Sequence, residues 1–115
     1  MYSSNAPEPE LMKAVLQPLL DDFKHWFGRS ISLLESETID FLSEHEQQDL
    51  LDRVRQAQQL VTASQSLSQA TGNQAGVDMS VVMSWHQLVH ECWNVGIRFR
   101  QQQAQAAQDN LNEDN

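Results

Sequence analysis

Apolar residues recurring at three- and four-residue steps, in three separate blocks, constrain this chain more than any other feature. In the first block Met12, Leu16, Leu19, Leu20, Phe23, Trp26, Phe27, Leu33 and Leu34 keep that rhythm. At 100° per residue they gather on one helical face, while Lys13, Gln17, Asp21, Lys24, Gly28 and Arg29 fall away from it. Asn5-Ala6-Pro7-Glu8-Pro9-Glu10 reads as the helix start, because proline is tolerated in a first turn and acids suit the positive dipole end. Pro18 lacks the N–H that would bond the Ala14 carbonyl, so a kink is expected there, with the same face continuing on both sides.

Ser36 to Leu42 breaks the rhythm and reads as a connector whose Ile39, Phe41 and Leu42 plug one end of the core. Ser43-Glu44-His45-Glu46 has the form of a capping box. The second helix is expected from about Ser43 to Ala70, stopping at Gly72. Its inward stripe, Leu50, Val54, Ala57, Val61, Ser64 and Ser68, is half small residues, so it lets a neighbour come close but buries little. After the loop Thr71–Val77, Asp78 is a good N-cap for a third helix from Met79 to about Ala107. Val81, Trp85, Leu88, Cys92, Val95 and Phe99 repeat the 4-3-4-3-4 spacing of the second helix, and the short loop predicts an antiparallel hairpin of the two.

No repeat, glycine-rich phosphate loop or hairpin-strand signature interrupts this pattern. The expected fold is all-α: a three-helix antiparallel bundle with a kinked first helix and a helix 2–helix 3 hairpin. One domain spans residues 8–107, after a flexible N-terminus at 1–7 and before an acidic disordered tail at 108–115. At 115 residues, such a chain buries roughly 65% of its unfolded surface and needs no staple.

Charge and cysteine content exclude several functions. A net charge of −9 has the wrong sign for nucleic-acid binding. Residues 8–52 carry −8 of it, residues 53–108 carry +2 and Asp109–Asn115 carry −3, so the first half suits a basic partner surface. Cys92 stands alone, which rules out an intrachain disulfide and multi-cysteine zinc modules and fits a reducing compartment. The N-terminus lacks the marks of a signal peptide, and no apolar run exceeds three residues, so neither secretion nor a membrane span is expected.

Candidate sites cluster on the third helix. His86 and His90, at i and i+4, face the same way and could share a metal or tetrapyrrole. Glu91 and Cys92 point elsewhere, so a further ligand must come from His25, His45, Glu44 or Asp49; Gln87 occupies the place where a zinc protease needs glutamate. Val82, His86, Trp93 and Ile97 widen the apolar arc to about 120°, with Met79, Met83 and His90 at its margin. If the first helix does not cover that arc, it is a docking surface or a homodimer seam. Cys92 lies within the inward stripe, away from both histidines, and reads as a small core hydrophobe rather than a nucleophile. Asp21 and His25 read as a solvated surface pair. Arg98 and Arg100 are expected to serve the helix's negative end or to pair with acids at the start of the second helix.

Pro9 to Phe23, Trp26-Phe27-Gly28-Arg29-Ser30, Trp85-His86-Gln87-Leu88-Val89, Glu91-Cys92-Trp93 and Arg98-Phe99-Arg100 resemble a family of small cyanobacterial proteins known as domain of unknown function 2605. The resemblance spans about residues 8–100. It implies a cyanobacterial source and partners at the photosynthetic apparatus or thylakoid surface, and it carries over no activity and no catalytic residue. The expectation is a non-enzymatic helical interaction module without a cofactor, cytoplasmic or peripheral at the thylakoid. It would meet a protein partner, or a second copy of itself, through Met83, His86, His90, Trp93 and Ile97. The alternative is a bundle holding a metal or tetrapyrrole through His86 and His90.

Overall fold

Each apolar block forms one helix: α1 (Pro9–Ser36), α2 (Glu44–Ala70) and α3 (Met79–Glu113). The computed structural model describes residues 9–72 and 77–113, with the backbone alone over residues 9–13. No strand occurs among the described residues, so the fold is all-α. The expected flexible stretch 1–7, the first residues of the expected helix start and the side chain of Met12 lie outside what is described. α1 is one continuous helix through Pro18.

Cross-helix contacts fix the directions. Gln17 donates to the Ser68 hydroxyl at 3.0 Å, Gln65 to the Asp21 carboxylate at 2.6 Å, and Arg55 to Glu35 at 2.9 Å. Numbers rise on α1 as they fall on α2, so these helices are antiparallel. Phe23 meets Trp85 at 5.6 Å between ring centroids, and Trp26 meets Trp93 at 5.3 Å. Here both numbers rise together, so α1 and α3 are parallel and the bundle runs up, down, up.

The core is built around α1. Leu16, Leu20, Phe23, Phe27 and Leu34 are buried, as are Leu50, Leu51, Val54, Ala57 and Val61 on α2 and Trp85, Val89 and Cys92 on α3. Ala57, Val61 and the fully buried Ser68 let α2 lie close along α1. Ser64 is half-buried, and Leu51, absent from the expected stripe, takes up core space instead. The expected α2–α3 hairpin exists as topology, but both helices pack chiefly on α1. A two-pronged ion pair ties α2 to α3: Arg53 Nη1 and Nη2 each reach a Glu91 oxygen at 2.8 Å.

Gln17, Asp21, Lys24 and Gly28 recur at 4-3-4 spacing and form a polar seam with α2, where a solvated face was expected. A Cβ on Gly28 would come within 3.3 Å of Gln58 Nε2, which donates to the Lys24 carbonyl. Gly28 therefore keeps room for a side chain that reads as polar surface in the sequence.

Helix ends follow local chemistry. The capping box forms in full: the Ser43 hydroxyl accepts from Glu46 N–H and the Glu46 carboxylate accepts from Ser43 N–H. Gly72 adopts φ +63° just after α2, a left-handed stop that a β-carbon would penalise. Asp78 caps α3 by accepting from Ser80 N–H at 2.8 Å. Between α1 and α2, Gln47 donates to the Leu34 and Glu37 carbonyls and accepts from Ile39 N–H, locking the fully buried Ile39 over the core end.

α3 runs to Glu113, so residues 108–113 are helical where a disordered tail was expected; 114–115 lie outside the described residues. Alanine and glutamine extend a helix readily, and Gln105 donates to Asp109 one turn on. Residues 100–113 are exposed throughout, and the molecule measures 76 × 26 × 20 Å.

Phe27→Ala should lower the unfolding free energy by about 3–5 kcal/mol in urea titration, whereas Leu111→Ala should stay within about 0.5 kcal/mol. Among the described residues three carboxylates sit below their ordinary range: Glu91 through Arg53, Glu46 through the Ser43 N–H and hydroxyl, and Asp78 through the Ser80 hydroxyl and N–H. Their stabilisation is present above the unfolded carboxylate pKa of about 4.3 and is lost as pH falls through the lowered folded values. Glu91→Gln should therefore narrow the difference in Tm between neutral and acid pH, read by circular dichroism.

Candidate functional site

A helix with a single close neighbour cannot hide a broad apolar arc, and α3 is in that position. Trp85, Val89, Cys92 and Gly96 are buried toward α1. Met79, Met83, Trp93 and Ile97 stay exposed at 69%, 52%, 41% and 46%. His86 and His90 lie among them, also exposed. The first helix thus leaves most of this arc uncovered, Val82 alone being half-buried, and all five expected contact residues lie exposed on it: Met83, His86, His90, Trp93 and Ile97.

Ring contacts order this surface. His86 and His90 stand at 4.6 Å between centroids with planes at 88°, His90 meets Trp93 at 5.5 Å, and Trp93 abuts Trp26 of α1. Trp93 is therefore held between His90 and Trp26 while a large part of the residue stays exposed. Among the described residues no three His, Cys, Asp or Glu side chains come together as a metal site. His25 packs against Trp26 and Asp49 pairs with Arg53 at 2.9 Å. None of His25, His45, Glu44 or Asp49 completes a site with the histidine pair.

Beside the arc, a groove of about 690 Å³ separates the second half of α1 from α3. Trp26 and Leu33 form one wall, Trp93, Ile97 and Phe99 the other, with Arg29 and Arg100 along it. Arg29 lies over the Trp26 ring at 5.6 Å, and Arg100 folds back so that Nη1 comes within 3.6 Å of a Cβ built on the buried Gly96. Arg98 stacks on Phe41 at 4.1 Å. Neither Arg98 nor Arg100 serves the expected end of α3, because the helix continues more than three turns beyond them; the cross-link to α2 falls instead to Arg53 and Glu91. The sequence reading missed this groove, since only the parallel approach of α1 and α3 assembles it.

Cys92 sits behind the groove. Burial pushes its thiol above the ordinary range, partly opposed by the Ser30 hydroxyl. The Asp21 carboxylate accepts from Gln65 rather than pairing with His25.

The chain matches, over residues 6–101, the model of a family described as a protein of unknown function (DUF2605), and it belongs to that family. No curated protein and no solved structure matches it.

Cys92 in the folded protein should react with iodoacetamide at least roughly a hundred-fold more slowly than in urea, followed by mass spectrometry. A rate close to that of the unfolded chain would contradict its burial.

Proposed function

We propose that this DUF2605 member is a non-enzymatic helical interaction module that docks a protein partner through the outward face of α3. The observation that carries this reading is the cluster Met83, His86, His90, Trp93 and Ile97, exposed together with Trp93 braced by Trp26. Tryptophan and methionine are residue types that interfaces favour and open surfaces avoid, and a braced ring loses little freedom on binding. The uneven charge fits the same reading, because most of the acids lie in residues 8–52 and few of them fall on α3, whose Met79–Ile97 face carries none. The setting on this reading is the cytoplasm, or the periphery of a thylakoid surface near the photosynthetic apparatus. No helix among the described residues is long and apolar enough to cross a membrane, which is compatible with either.

The test is affinity purification of tagged protein from its native host, soluble and membrane fractions analysed separately by mass spectrometry. Trp93→Ala should weaken a captured partner by about 10- to 100-fold, and His86→Ala by less, while helical circular dichroism stays near wild type. Equal loss of helicity and binding would make these residues part of the fold only.

A further inference from the structure

The exposed face of α3 does not end with the bundle. Met79, Met83, His86, His90, Trp93 and Ile97 continue at the same alternating four- and three-residue steps into Arg100, Ala104, Ala107 and Leu111. Every one of these residues is exposed. The spacing is that of a coiled-coil seam, about 48 Å long. We propose that this seam pairs antiparallel with the same seam of a second copy of the chain. The proposal rests on the reading of the α3 face as an interaction surface and names its partner.

Three observations point to a second copy in that orientation. First, the order of steps is the same from either end, so an antiparallel copy centred on Val95 meets it layer by layer. Second, the sizes complement: Met83 faces Ala107 of the second copy, His86 faces Ala104, Trp93 faces Ile97, and Met79 faces Leu111. A parallel copy would set alanine against alanine, leaving gaps, and Arg100 against Arg100, a like-charge contact. In the antiparallel layer Arg100 lies opposite His90 instead, which removes that like-charge contact. Third, the edge beside the seam is uncharged: Gln87, Asn94, Gln101 and Gln108 follow at seven-residue steps, all exposed. Two chains of charge −9 can approach there without opposing carboxylates, and amide side chains can bond across the rim. The pairing also lays the overhanging end of each α3 along Met79–His90 of the other.

Sedimentation equilibrium on the full chain, over a concentration series, tests the association. The expected result is a reversible dimer of twice 13.1 kDa. Ala107→Glu, at an exposed position outside the core, should raise its dissociation constant at least about ten-fold. Orientation is read by mild oxidation of Met83→Cys and Ala107→Cys chains, with the buried Cys92 left in place. Mixed together they should form a disulfide-linked dimer, and neither alone should. A monomer at about 200 µM, a dimer indifferent to Ala107→Glu, or self-linking of either single variant would overturn the proposal. A monomer that still captures a host protein through Trp93 would overturn the second copy alone and leave the interaction module standing; a monomer that captures nothing would overturn both.

Discussion

Burial of the apolar face of α1 is the constraint from which the rest of the molecule follows. Phe27 and Leu20 are fully enclosed, and Phe23 touches both Phe27, stacked at 5.9 Å, and Trp85. No single helix covers so wide a face, so α2 and α3 divide it, and α1 becomes the element on which both lie. α2 comes close because its contact residues are small, and closeness brings its glutamines into hydrogen-bonding range of the α1 backbone and side chains. α3 brings large residues, and between it and α1 lies the groove lined by Trp26, Trp93 and Phe99. Geometry at the centre thus decides which surface is left over.

Polar side chains then hold the helices in register without adding much energy. The Arg53–Glu91 pair is half-exposed on both sides and is worth about 0–1 kcal/mol, but its two-pronged form fixes where α3 lies along α2. Gln47 answers two carbonyls near the end of α1 that the helix itself leaves unpaired, so the connector needs no glycine or long loop. Among the described residues no buried side-chain nitrogen or oxygen is without a partner. A seam this well satisfied specifies one arrangement, since sliding α2 by a turn would break Gln17–Ser68, Gln65–Asp21 and Gln58–Lys24 together.

Local chemistry was legible in the sequence wherever neighbours along the chain decide the outcome. Helix count, the Ser43 capping box, the Asp78 cap, the stop at Gly72 and the plugging by Ile39 all depend on residues within a few positions of one another. What depends on two helices meeting was read less well. Gly28 and Gln17 look solvated by periodicity, because a small or amide residue gives the same pattern whether it faces water or a polar seam. The shared 4-3-4-3-4 stripes of α2 and α3 suggested that these two helices pair most closely, yet periodicity names a face without naming what covers it. For the same reason Met83, His86, His90, Trp93 and Ile97 could be placed on one face, but only the position of α1 decides that the face stays open.

The overhang of α3 shows how the same logic extends beyond the core. Helices in water owe most of their stability to packing, and a segment exposed on every side forgoes that contribution. Residues 101–113 keep their helix through composition: alanine and glutamine carry little penalty, and Gln105–Asp109 adds a local bond. Composition alone would allow the apolar residues of the segment to fall anywhere around the helix. Ala104, Ala107 and Leu111 instead carry forward the line of Trp93 and Ile97, and from Gln101 to Glu113 the other positions are polar except Ala106. A helix that ended where the bundle ends would satisfy the core equally well. The added turns therefore lengthen the outward face of α3 without adding to the core, and on the proposed reading that surface is what the sequence builds beyond the needs of folding.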